Sequence, residues 1–305
     1  MLLASVLKAI GCCALALAIA QPAAAQDAPA GAADRLSGTL KKIKDSGVVR
    51  LGFRVNSSPF SYLDERGRPV GYSLDLCTAL VEDIVDELGG MELRIEFQPV
   101  TPEDRFDKVA SGDVDLECGS TTNNLERRKR VAFSPAIFVT GTKLLVRKDG
   151  PVRSVLDLKG RPVAVTRDTT NAQAMKVLSQ RRALALALVE GADHNESLGL
   201  LAAGKVDAFA NDEVLLYGLM AETRSQAYRV VGDFLSYEPY GLMFRIDDPA
   251  FAGVVERGFR RLAASREIVW IYDKWFLKRL PSGVRLGLPM SPQLEETFRI
   301  LGLPV

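Results

Sequence analysis

Apolar positions recur along this chain with two alternating periods. Val48 to Arg54 reads as a strand, and Cys77, Leu80, Val81, Ile84, Val85 and Leu88 then fall at three- and four-residue spacing, the stripe of a helix packed on a sheet. Leu93, Ile95 and Phe97 alternate as a second strand. Strand, helix, strand is a crossover unit, which builds a parallel sheet covered by helices. A helix over Pro102 to Ala110 then leads into a strand over Val114 to Cys118.

The same grammar returns after about residue 150. Strands are predicted over Val163 to Thr166, Leu184 to Glu190 and Val206 to Asn211, and helices over Asn171 to Arg181, Asn195 to Ala203 and Asp212 to Ala221. Ala110-Ser111-Gly112-Asp113-Val114-Asp115-Leu116 is echoed by Ala202-Ala203-Gly204-Lys205-Val206-Asp207-Ala208. Each copy places a helix end, a glycine stop and a buried strand in sequence, so two similar α/β lobes are expected. Two extended stretches, Ile137 to Arg147 and Val230 to Arg245, are long enough to carry the chain across and back. Helices near Pro249 to Ser265 and Ile268 to Leu277 would then complete the first lobe. Ligands of open α/β sheets sit beyond the carboxyl ends of the strands, so two facing lobes make a cleft.

The chain has 305 residues, 47% hydrophobic and 25% charged, the composition of a globular protein with ample core. Lys8, the apolar run Ala9 to Ala20 and the small residues of Pro22-Ala23-Ala24-Ala25 predict a secretory signal over residues 1–25, and therefore a periplasmic protein. The run is too short for a membrane anchor. Residues 26–39, rich in Ala, Pro and Gly at their start, are expected to be a flexible leader, with order beginning near Leu40. The formal charge is +1, and removing Lys8 with the signal brings it to 0, so charge implies no nucleic-acid partner. Cys12 and Cys13 leave with the signal. Cys77 and Cys118 remain as an even pair, open to a disulfide in an oxidising compartment or to two buried thiols.

The stretch with most chemistry is Glu117 to Ser134, ECGSTTNNLERRKRVAFS. Ser120, Thr121 and Thr122 supply short donors, and Arg127 can close a planar fork on a carboxylate, a geometry lysine lacks. The plain alternative is a solvated basic turn, as runs like Arg127-Arg128-Lys129-Arg130 often are.

With GFRVNSSPFSYLD, GYSLDLC, AFSPAIFVTGTKLLV, DLKGRPVAVTRDTT and YDKWF in the same order, this stretch resembles the periplasmic substrate-binding proteins of polar amino-acid ABC transporters, especially the glutamate/aspartate-binding branch. The resemblance implies a two-lobed periplasmic binding protein fold of type II, α/β, each lobe a mainly parallel sheet flanked by helices, with two hinge crossings. Residues 40–140 and 240–305 would form a discontinuous first lobe and 141–239 the second. It further implies an acidic amino-acid ligand, a membrane ABC permease as partner, a monomer, and no cofactor or metal.

The resemblance places Arg127, Thr122 and Thr170 at the ligand α-carboxylate and Asp212 at the α-ammonium. Arg54, Arg105 and His194 fall at the distal carboxylate, and Ser120 supplies backbone or hydroxyl contacts. Each has a bland alternative: a surface arginine at a strand end for Arg54, an exposed helix residue for Arg105, a loop residue or cap for His194, a helix cap for Asp212. Two departures from the family pattern bear on specificity. Pro102 stands where a serine is usual, and Arg167-Asp168 where Ser-Gly is usual; Arg167 either neutralises Asp168 or faces the cleft. No Ser-His-Asp order, phosphate loop or metal-spaced cluster marks an enzyme. A neutral amino acid such as glutamine, a dehydratase on the same scaffold and a ligand-sensing module are the competing readings.

Overall fold

The structure, a computed structural model, describes residues 36–304; the expected signal and most of the leader lie outside the described residues. Order starts slightly earlier than expected, with a helix over Gly38–Ser46. The Thr39 N–H donates to Asp248 Oδ2 at 2.7 Å, and Thr39, Leu40 and Ile43 are buried, which pins the first turn to the body of the protein.

Two five-stranded sheets form the frame. In the first, Val48–Phe53 pairs in parallel with Arg94–Pro99 on one side and Leu116–Glu117 on the other; Met243–Arg245 and Val131–Phe133 extend it antiparallel. In the second, Pro162–Thr166 lies between Ala187–Gly191 and Ala208–Asp212, both parallel to it, and Thr142–Arg147 and Tyr228–Val231 continue antiparallel. The parallel half of each sheet is the expected crossover unit. The antiparallel half is made by the chain arriving from, or returning to, the other lobe.

The echoed segments do equivalent work in the two sheets. Gly112 and Gly204 both adopt left-handed φ, 81° and 68°, ending one helix so that the next strand enters the sheet beside its first strand. The two crossings are hydrogen-bonded to each other: Glu238–Tyr240 pairs antiparallel with Phe138–Thr140. Gly141 follows at once, and a Cβ there would overlap the Ser236 carbonyl, so the close approach of the second crossing requires glycine.

The helix Tyr72–Glu87 buries Cys77, Leu80, Val81 and Ile84 of the predicted stripe, with Val85 and Leu88 partly buried, adds Tyr72 and Leu76, and packs in one core with Pro249–Ala264. Arg261 from the latter closes a fork on Asp83, 2.9 Å from each carboxylate oxygen. Phe60, Tyr72, Phe138, Tyr240, Tyr272 and Phe276 cluster beneath the crossings, with Phe138 and Phe276 centroids 4.9 Å apart. Two boundaries differ usefully from expectation. The helix predicted from Pro102 begins at Arg105, because Thr101 and Asp104 exchange side-chain hydrogen bonds (2.8 and 3.1 Å) in a preceding turn. The helix predicted over Ile268 to Leu277 divides into Glu267–Tyr272 and a π-helical turn, Asp273–Leu277. Among the described residues no helix is long and apolar enough to cross a membrane.

Cys77 and Cys118 form a disulfide, Cα atoms 6.2 Å apart, tying that helix to the strand end that opens into Ser120 and Thr122. It closes a loop with a sequence separation of 41. Replacing both cysteines by serine should lower stability by about 2–4 kcal/mol in urea unfolding, with the parent matching the variant once reduced.

Candidate functional site

Six segments that follow parallel strands meet at one narrow cavity of about 10 Å³. Arg54 comes from the end of Val48–Phe53 and Arg105 from the helix after Arg94–Pro99. Ser120, Thr122 and Arg127 follow Leu116–Glu117; Thr170 starts the helix after Pro162–Thr166; His194 starts the helix after Ala187–Gly191; Asp212 ends Ala208–Asp212. All eight residues singled out in the sequence line this cavity, together with Thr169, Asn171 and Leu215, which were not. Thr169 caps the Thr170 helix, accepting from the Ala172 N–H at 3.2 Å.

Three guanidinium groups dominate the electrostatics. Arg54 and Arg105 are buried, and Arg54 Nη2 and Arg105 Nε have no hydrogen-bond partner. Burial, and then the neighbouring Arg105 charge, push Arg54 down to about 9. Burial followed by Arg105 does the same to Arg127, also to about 9, and burial lowers Arg105. All three remain cations at neutral pH. Phe106 supports two of them, its ring centroid 5.2 Å from both Arg105 and Arg127 Cζ. Arg127 also donates to the Thr122 carbonyl at 2.9 Å. Glu117 lies buried beneath; burial raises its carboxyl, while Arg105 and then Arg54 pull the other way.

His194 is buried rather than a loop residue, its Nδ1 2.9 Å from Thr166 Oγ1 and 3.4 Å from Asn211 Nδ2. The Asn211 amide nitrogen can only donate, so Nδ1 accepts. Burial, with Arg54 and Arg105 nearby, holds the ring well below the usual histidine range, so it is neutral with its hydrogen assigned to Nε2. Asp212 precedes the helix Glu213–Thr223 but makes no side-chain cap to it. It accepts instead from Asn171 Nδ2 at 2.6 Å and from the Tyr240 hydroxyl. Burial, reinforced by the charge of Glu238, pushes Asp212 up to about 7.

The hydroxyls of Thr122 and Thr170 meet across the cleft, oxygens 3.3 Å apart, and each donates to Glu238 Oε2 at 2.7 Å. Glu238 itself lies behind the lining residues, at the start of the crossing strand.

The basic run divides: Arg127 turns inward, whereas Arg128, Lys129 and Arg130 are exposed and pair with Asn123, Glu126 and Asp107. Arg167 neither lines the cavity nor pairs with Asp168; its partner is Glu190, 3.9 Å away and half exposed. Pro102 is buried in the turn before Arg105. Among the described residues no group of three or more His, Cys, Asp or Glu is arranged to hold a metal ion.

The profile of the bacterial extracellular solute-binding proteins, family 3, matches residues 49–278. An L-glutamate/L-aspartate-binding protein of Pseudomonas aeruginosa is 43% identical over 267 residues, 87% of this chain and 88% of the relative. A glutamate/aspartate import solute-binding protein of Escherichia coli is 36% identical over 93% of this chain and 94% of its own length. Among solved structures, an ancestral arginine-binding protein bound to glutamine superposes with a TM-score of 0.69 at 27% identity, covering 76% of this chain and 99% of that one.

The folded-state pKa of Asp212, about 7, exceeds that of an unfolded aspartate, about 4. Its contribution to ligand-free stability is therefore complete below about pH 4 and is lost as pH rises through about 7. Against Asp212→Asn, wild type should lose on the order of 1–4 kcal/mol between pH 4 and 8 in parallel urea titrations.

Proposed function

Because the chain belongs to the bacterial extracellular solute-binding proteins of family 3, we propose that it captures an acidic L-amino acid, glutamate or aspartate, in the periplasm and delivers it to a membrane ABC permease. It is a binding protein, not an enzyme. The observation that carries the choice of ligand is the pair Arg54 and Arg105, buried with unpartnered nitrogens in the same small cavity as Arg127. A ligand with two carboxylates and one ammonium answers this arrangement. Arg127 takes the α-carboxylate, Asp212 the α-ammonium, and Arg54 with Arg105 and the neutral His194 the distal carboxylate; Ser120, Thr122 and Thr170 surround the backbone end. A neutral side chain would leave two buried guanidinium groups with one weak acceptor between them.

In this reading residues 1–25 export the chain, 40–140 with 240–305 form one lobe and 141–239 the other, and the protein works as a monomer. Ligand bound between the lobes favours the closed form only by its differential affinity for that form. The permease recognises that closed form. Micromolar binding would correspond to about 8 kcal/mol, of which the closure-dependent part drives the switch.

Isothermal titration with glutamate, aspartate, glutamine and histidine tests this directly. Heat with the acidic ligands and little with the neutral ones is expected; tight glutamine binding with none for glutamate would overturn the specificity. Arg127→Lys keeps the charge but loses the fork, and should weaken every ligand by about 1–3 kcal/mol. Arg54→Met should weaken acidic ligands selectively, and equal losses for glutamate and glutamine would remove Arg54 from the distal carboxylate.

A further inference from the structure

Behind the cavity, Glu238 is 3% exposed and is held by hydroxyls from three separate segments. Thr122, after the first sheet's central strands, and Thr170, at the head of a second-lobe helix, both donate to Oε2 at 2.7 Å. Ser236, on the approach to the crossing strand, donates to Oε1 at 2.6 Å.

A hydroxyl has one hydrogen. With Ser236 spending its hydrogen on Glu238, the 2.7 Å contact between Ser236 Oγ and Thr142 Oγ1 must be a donation from Thr142. Thr142 in turn accepts from Asn171 Nδ2 at 2.8 Å. The hydrogens therefore all point one way, from Asn171 through Thr142 and Ser236 to the carboxylate. The Asn171 amide nitrogen gives its other hydrogen to Asp212. One polarised chain thus links the acid in the cavity wall with the acid in the crossing.

The same count fixes the two cavity threonines. With both hydrogens on Glu238, Thr122 and Thr170 turn lone pairs toward the ligand space, so their hydroxyls receive hydrogens from an ammonium rather than donating to a carboxylate. On this count the α-carboxylate, where the resemblance places them, would be left to Arg127. Because the threonines come from opposite lobes, their shared acceptor exists only when the lobes meet.

We propose that Glu238 is a positioning residue that latches the two lobes through Thr122 and Thr170 and orients both hydroxyls as acceptors for the ligand ammonium. The orienting half of this rests on the amino-acid reading above; the latch does not. A carboxylate suits the position because it accepts at every lone pair, whereas an amide must present a donor to one of the three hydroxyls and reverse part of the chain. Ser236 serves the latch without lining the cavity.

The test is Glu238→Gln in the full mature chain, with spin labels on exposed positions of the two lobes, Arg128 and Arg167 replaced by cysteine, since the native cysteines are paired. Interlobe distance distributions are read with and without saturating glutamate, alongside glutamate and aspartate affinity. The expected result is a retained long-distance population in Glu238→Gln with ligand present, and an affinity loss of about tenfold or more that is equal for both acids. Wild-type distances with affinities within about twofold would overturn the proposal. Ser236→Ala should move distances and affinities the same way by a smaller amount, and decides the matter if Glu238→Gln does not fold: unchanged values in it overturn the latch. If the wild type binds neither acid, the amino-acid reading fails, and the latch is judged on the ligand-free distances, where no difference between wild type and the variants overturns it.

Discussion

Three arginine side chains gathered at one cavity, Arg54 and Arg105 buried and Arg127 partly so, are the constraint around which the rest of this molecule is organised. A buried guanidinium with unmet donors is expensive, and Arg54 and Arg105 are both in that condition. The fold bears this cost through surrounding carboxylates that do not pair with them directly: Glu117 beneath, Asp212 and Glu238 beyond. Buried nitrogens without acceptors are costly, and in the proposed reading a ligand carboxylate would supply the missing acceptors, which is the differential that closure requires.

The hinge and the pocket are chemically one object. Tyr240 belongs to the aromatic cluster under the crossings, with Phe60 5.1 Å away between ring centroids, and its hydroxyl reaches Asp212. Two residues earlier, Glu238 gathers hydroxyls from both lobes. A single three-residue strand therefore carries the link from core packing to Asp212 and the link from one lobe to the other. The Cys77–Cys118 disulfide braces the opposite side, where the first lobe's strand turns into Ser120 and Thr122.

Much of this was legible in the sequence, for reasons that can be stated. Parallel strands announce themselves by apolar runs followed by helix starts, and the chemistry sits just past them, so Arg54, Thr170 and Asp212 could be found from position alone, whereas His194 came from the family resemblance. The glycines of the two echoed segments foretold matching sheets because a left-handed stop has few substitutes. Within Arg127-Arg128-Lys129-Arg130 nothing local says which residue turns inward; that is settled by the Asn124 side chain accepting from the Arg127 N–H at 2.9 Å and by Phe106 beneath its guanidinium. Arg167 gave no local sign that it would choose Glu190. Glu238 was missed because its two threonine partners are 116 and 68 residues away. The one available signal was a lone charge in an otherwise uncharged stretch of the crossing, between Leu235 and Leu242. Asn171 was missed because a residue in the first turn of a predicted helix is ordinarily read as surface.

The central claim is the orientation of an acidic amino acid between Arg127 at one end and Arg54 with Arg105 at the other. A crystal structure of the mature protein grown with L-glutamate tests it most directly. The account predicts the side-chain carboxylate within hydrogen-bond distance of Arg54 and Arg105, the α-carboxylate on Arg127 and the ammonium on Asp212. Glutamate bound in the reverse orientation, or bound with Arg54 and Arg105 still lacking a carboxylate partner, would contradict it.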